Sequence, residues 1–197
     1  MEVLKLASSR GSVRRFRSDP IPFTDVGYVL EVARRAPSGA NRQPWRFLVI
    51  QDDGLKKRIR GKCEEVERRF HERAEPSLKE WLKSRGITWE KPFLTEAPIL
   101  ILVFGRMGEP YWVESVWLAI GFMLLAIEEL GYSTLTYTPS EVDWVNDLLK
   151  VPKEYRLQAI LPMGKPLEDK RPQDRLPLNE IAYLDEWGKG FQKHLDR

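Results

Sequence analysis

The sequence predicts an α+β or mixed α/β sandwich, on three observations. Helix-like and strand-like patterns alternate along the chain. Two short runs, Arg46–Ile50 (RFLVI) and Ile99–Phe104 (ILILVF), are β-branched or apolar and bounded by polar or Pro/Gly residues, as buried strands are. One longer apolar run, Ser115–Ile127 (SVWLAIGFMLLAI), reads as a buried helix around which the layers assemble.

The elements follow in order. Residues 2–9 predict a short first helix, and the DPIP at 19–22 breaks the chain before Thr24 caps a second one. Val26, Val29, Leu30 and Ala33 recur at helical spacing until Pro37 stops them. After the first strand, residues 53–91 are densely charged, with Leu55, Ile59, Cys63, Val66 and Phe70 at steps of three or four. That pattern predicts a long amphipathic helix, a turn near Pro76 and a second short helix. So narrow a stripe suits a lid better than a core layer. Past the apolar helix, Gly131 marks a C-cap, STLTY (133–137) reads as a strand, Glu141–Leu149 as a helix and LQAIL (157–161) as another strand. From Lys165 the chain carries Pro166, Pro172 and Pro177 with little periodicity, which predicts an extended arm over 165–197 lying on a partner subunit.

At 197 residues the chain fits one domain over 1–197, with a lid insertion at about 53–91 and that arm. Thirty-two Lys and Arg against 29 Asp and Glu, well mixed, argue against nucleic-acid binding. The single cysteine excludes an internal disulfide, and with only His71 and His194 no metal cluster is expected; a cytoplasmic protein fits best. The N-terminus has no apolar core of a leader, and the 115–127 run is short of the ~20 residues of a membrane span.

The usual catalytic signatures are absent: no GxGxxG after a strand, no GxxxxGK[ST], no HExxH, no GxSxG. Neither histidine has triad surroundings, and Cys63 on its stripe reads as a packing residue. What remains suits an anion and a flat ligand. If RGSVRRF (10–16) is extended, Arg10, Ser12 and Arg14 point to one side and offer charge-assisted bonds to a phosphate; a solvated basic turn is the alternative. Lys170, Arg171 and Arg175 form a second, equally ambiguous cluster. Pro37-Ser38-Gly39-Ala40 puts small residues where a helix ends, so that backbone approaches a ring closely, and Asn41 adds a donor and an acceptor. Thr136, Tyr137 and Thr138 end a predicted strand, where loops carry function.

Four motifs in order, RGSVRRF (10–16), APSGANRQPWRF (36–47), LPMGKP (161–166) and DRLPL (174–178), resemble the nitroreductase superfamily of FMN-dependent oxidoreductases. TLTYTP (134–139) and WEKPFLTEAP (89–98) resemble its iodotyrosine deiodinase branch. The resemblance implies a three-layer α/β sandwich with a mixed, mainly antiparallel sheet, a helical lid and a C-terminal arm that wraps a second copy. It implies a homodimer with FMN sites at the interface. Arg10, Gly11, Ser12, Arg14 and Arg175 would hold the phosphate and polar edge of the flavin. Pro37, Ser38 and Gly39, from the opposite subunit, and Asn41 would line the ring with Thr136, Tyr137 and Thr138. Thr138 would donate toward flavin N5 and favour one-electron chemistry. Ala40, Glu67, Phe70 and Lys91 would meet a halotyrosine, Lys91 and Glu67 gripping its amino-acid end.

The chain departs from the branch at three places: Phe70 has no phenolic hydroxyl, Val66 stands at the ungapped position of the lid Glu, and Gly11 stands where Arg is common. The activity implied is reduction of a small aromatic, including reductive dehalogenation of halotyrosine, with NAD(P)H or another reductant as donor. A general NAD(P)H-dependent nitro, quinone or flavin reductase is one alternative; a non-catalytic flavin-binding or scaffold dimer is another.

Overall fold

The computed structural model describes residues 1–191; the end of the arm and His194 lie outside the described residues. In chain order the elements are α1 (Glu2–Ser9), α2 (Phe23–Ala33), β1 (Trp45–Ile50), α3 (Asp53–Arg73), α4 (Pro76–Ser84), α5 (Phe93–Glu96), β2 (Ile99–Arg106), α6 (Trp112–Glu129), α7 (Trp144–Leu149), β3 (Tyr155–Met163) and α8 (Leu178–Ile181). The three strands form an antiparallel sheet in the order β1-β2-β3. Strand alternation sorts the core into two halves. Ile99, Ile101 and Val103 pack toward α2 and α6, while Leu100, Leu102 and Phe104 pack with Ile59 and Cys63 of α3, Phe93 and Leu94 of α5 and Val145 of α7. Helices, sheet and helices thus make the three layers.

The 133–137 segment is not the continuous strand that its sequence predicts. Ser133 pairs with Gly164 and Tyr137 with Ile160, each through two hydrogen bonds, but midway between them Leu135 faces Pro162. Proline has no N–H to give, so the ladder is broken there and only isolated bridges remain. On its other side Pro162 pairs in register with Leu100 of β2. Ser12 in turn bridges Thr134 in parallel, and Val13 N–H donates to the Thr134 carbonyl at 3.2 Å, so the 10–14 segment runs beside 133–138.

Other expectations are corrected in detail. Thr24 does not cap α2: the Pro22 carbonyl already accepts from the Asp25 and Val26 amides, which places Thr24 inside the first turn. The helix expected from Glu141 begins only at Trp144, because the Ser140 amide is held by Glu67 and the Trp144 indole donates to the Glu141 carbonyl. Helix α3, expected as part of a lid, is also a core element. Ile59, Cys63 and Val66 are buried, so its N-terminal half walls the second core, and only its C-terminal turns with α4, which buries Leu82 alone, stand off the body. Pro76 opens α4 at its first turn, as proline's missing N–H allows.

Helix α6 ends as its sequence predicts. Gly131 takes a φ of +76°, its amide bonds the Glu128 carbonyl and the Tyr132 amide bonds the Ile127 carbonyl, the paired bonds of a Schellman stop. Its sides are not as predicted. The run read as wholly buried leaves Trp117 41%, Leu118 47% and Phe122 36% exposed on one face. Among the described residues no helix is long and apolar enough to cross a membrane.

Candidate active site

The 10–14 segment is extended, with Gly11 and Val13 buried and Ser12 and Arg14 exposed, so alternation does place Arg10, Ser12 and Arg14 on one side. Tertiary contacts then sort the arginines. Arg15 is held by Glu96 at 3.0 Å and Arg17 by Asp19 at 2.6 Å, whereas neither Arg10 nor Arg14 has a carboxylate within reach among the described residues. Two unspent guanidinium groups and a free hydroxyl are the donor set a phosphate dianion takes. Gly11 lies under the arm: a Cβ there would sit 3.2 Å from the Arg171 backbone nitrogen, so the arm would have to shift by a few tenths of an ångström to admit a side chain. Arg175 is exposed and donates to the carbonyls of Gln173 and Asp174, apart from this row. Lys170 is committed elsewhere, to Glu128.

Beside the row, Thr136 and Thr138 face outward and Tyr137 inward. The Thr138 hydroxyl donates to the Gln158 carbonyl at 3.0 Å. Gln158 is the extra residue of a β-bulge where β3 slips against Val103 and Phe104, a device that re-aims groups beside sites. Tyr137, expected with its neighbours along the ring, is a correction. Its ring packs edge-on against Phe93, its hydroxyl donates to Glu67 at 3.2 Å, and its own N–H and carbonyl are both used by Ile160. Burial, with Cys63 and Glu67 adding to it, raises the phenol well above its usual range.

The same corner holds Glu67 and Lys91, the two charges expected to grip an amino-acid end. Glu67 accepts from Tyr137 and from the Ser140 amide at 2.9 Å, and its second oxygen lies 3.7 Å from Lys91 Nζ, with both side chains buried. The Lys91 amide donates to Glu64 at 2.8 Å and its ammonium to the Thr88 carbonyl. Lys91 and Glu67 therefore face each other beside Tyr137, rather than an open cavity. Phe70, one turn further along α3, is exposed, edge-on to His71. Cys63 lies beneath the pair, and burial pushes its thiol up to about 12. As only the thiolate is nucleophilic, native protein at pH 8 is expected to resist iodoacetamide over hours and to be alkylated on unfolding, as mass spectrometry would read.

The 37–41 stretch is built under strain. Ala40, Asn41 and Gln43 all have φ near +50°, and a Cβ on Gly39 would lie 2.7 Å from the Pro110 carbonyl oxygen. The loop is held by the Ser38 hydroxyl, which accepts from the Gln43 amide, and by Ser115, which accepts from the Gly39 amide. Such non-glycine strain persists where surrounding structure over-determines it, commonly at functional sites. Pro37, Ala40 and Asn41 are exposed and Ser38 and Gly39 half-buried. Yet Gly39 sits at Ser115, near the start of α6, while Ser9, next to Arg10, sits at Glu128, near its end. About 20 Å of helix separates them at 1.5 Å per residue. Within one chain the loop and the arginine row are not brought together.

A protein-family model described as the nitroreductase family matches residues 7–165. The chain belongs to the nitroreductase family. Among members of that family, it is 49% identical to iodotyrosine deiodinase from Thermotoga neapolitana over 176 residues, 89% of this chain and 93% of that protein. It is 36% identical to iodotyrosine deiodinase from Haliscomenobacter hydrossis, covering 85% of this chain and 80% of that one. Among solved structures, oxidized iodotyrosine deiodinase bound to FMN and 3-iodo-L-tyrosine superposes with a TM-score of 0.84 at 46% identity, covering 93% of this chain and 98% of that chain. The three-layer fold is thus that of the nitroreductases. The Glu67–Tyr137 contact leaves no mark in the local sequence, since the two residues lie 70 positions apart.

Proposed function

We propose that this nitroreductase-family chain is an FMN-dependent oxidoreductase that reductively dehalogenates a halotyrosine. The observation that carries the reading is the Arg10–Ser12–Arg14 row, unpaired among the described residues, beside the 133–138 segment that presents Thr138, with Tyr137 and Ser140 of the same stretch holding Glu67 opposite Lys91. The similarity to iodotyrosine deiodinases supports it. Bound FMN would supply the electrons that exchange an aryl carbon–halogen bond for carbon–hydrogen, after a donor such as NAD(P)H has delivered them. Arg10, Ser12 and Arg14 bind the phosphate, and Arg175 reaches the polar edge from the arm. Thr138 turns its hydroxyl from Gln158 toward the flavin edge. Lys91 and Glu67 neutralise each other until a zwitterion arrives, whose carboxylate and ammonium complement them; Phe70 and Ala40 offer apolar surface to its ring.

The site needs two copies of the chain. Pro37–Asn41 and the arginine row lie at opposite ends of α6, and between them runs the apolar stripe of Trp117, Leu118 and Phe122. A helix apolar all round is ordinarily covered on every side. A two-fold partner laid along this face covers the stripe and sets one copy's loop against the other's arginines. The single buried cysteine fits a cytoplasmic homodimer.

The test is a titration of FMN-loaded protein with 3-iodotyrosine, read by flavin fluorescence, beside a simple nitroaromatic. Saturable micromolar quenching by iodotyrosine is the expected result. Quenching by the nitroaromatic alone would establish instead the general NAD(P)H-dependent nitro or quinone reductase, the reading that the missing Phe70 hydroxyl and the internally paired Lys91 favour. Colourless protein that takes up no FMN would leave a scaffold dimer.

A further inference from the structure

Glu128 stands in the last turn of α6, where the negative end of the helix dipole disfavours a carboxylate, and it is followed by Glu129. Its side chain is nonetheless only 8% exposed. Two partners hold it there with three hydrogen bonds. Lys170 Nζ donates to both its oxygens at 2.9 and 2.8 Å, and the Ser9 hydroxyl donates to Oε1 at 2.9 Å. Ser9 is the residue before Arg10, and Lys170 is the residue before Arg171, whose backbone covers Gly11. The two segments are joined again further along: the Arg14 amide donates to Glu168 at 2.8 Å and the Leu167 amide to the Arg15 carbonyl at 2.9 Å.

The geometry points to Glu128 and Lys170 as positioning residues for the phosphate end of the flavin, a clasp that presses the arm onto the 10–14 segment and sets the aim of Arg10, Ser12 and Arg14. This rests on the proposed reading that those three groups receive the phosphate. Neither clasp residue belongs to that donor set. Lys170 is taken up by Glu128 and, at 3.4 Å, by the Tyr132 carbonyl. The clasp acts by holding both edges of Gly11, one through Ser9 and one through Arg171, so that the row between them is fixed before the ligand arrives. Preorganised donors lose less freedom on binding than donors that must be gathered.

The experiment compares FMN with riboflavin, which lacks the phosphate, in fluorescence titrations of the flavin-free, full-length protein. Glu128→Gln keeps size and still accepts from Ser9 but removes the charge. It is expected to weaken FMN binding about tenfold, because the phosphate donors lose their preset aim, while riboflavin affinity stays within about twofold. Lys170→Gln should do the same, and the reversed pair E128K/K170E should restore most of the phosphate preference. A general loss of structure would weaken both flavins alike, and that result in Glu128→Gln, or no loss at all, overturns the clasp. Arg14→Met separates the two layers of argument. A phosphate-selective loss there without one in Glu128→Gln overturns the clasp alone; no phosphate-selective loss in either overturns the site reading beneath it.

Discussion

Lys91→Met lowers folding stability by about 3 kcal/mol, the low end of the cost of stripping one partner from a buried ion pair. The low end applies because Glu67, left without its cation, still accepts from Tyr137 and Ser140. In a chain of 197 residues that loss lowers Tm by about 6–12 °C in a thermal melt. Removing both charges, with Lys91→Met and Glu67→Gln together, recovers most of the loss, since a buried pair is seldom better than a neutral replacement. A single variant melting within about 2 °C of wild type would mean the pair is solvated in solution.

The pH dependence has a definite sign. Burial holds the Lys91 ammonium below its ordinary value of 10.5, with Glu67 opposing that shift. Between the lowered folded value and 10.5 the unfolded chain binds more protons than the folded one, so this residue's contribution to stability rises with pH there. Below that window the cost of keeping the charge buried is fully present. Comparing wild type with Lys91→Met in melts from neutral to alkaline pH isolates it: the rise belongs to the wild type and is missing from the variant.

Arg14→Met weakens FMN binding about 10- to 100-fold, while Arg15→Met leaves it within about twofold. One charge-assisted bond contributes about 1.5–3 kcal/mol, and each 1.4 kcal/mol is tenfold in affinity. The two arginines are neighbours in sequence and equal in charge, but Arg15 is already spent on Glu96. Equilibrium titration read by flavin fluorescence distinguishes them. Equal losses in the two variants would show that the segment acts through net charge alone and that the alternation has no bearing on the phosphate.

The legible part of the fold was the part written in local periodicity. ILILVF has to be a strand buried on both faces, and so it is, with odd and even residues in different core layers. Gly131 and Pro76 stop and start helices by backbone chemistry of their own. STLTY misled because its pairing depends on what lies opposite, and opposite lies Pro162. The apolar 115–127 run promised burial on all sides, but which side stays exposed depends on how α2 and the sheet pack against it.

By itself the sequence determined the layers, the long amphipathic helix with its turn at Pro76, the alternating row of Arg10, Ser12 and Arg14, and the small-residue loop, because each is set by residues within a few positions of one another. Only the tertiary structure decided which arginines are spent, that Tyr137 turns inward to Glu67, that Lys91 and Glu67 oppose each other, and that Glu128 joins Ser9 to Lys170. The physical reason is the same in each case. A charge or hydroxyl becomes available or committed through partners far away in the chain, and periodicity carries no information about who those partners are.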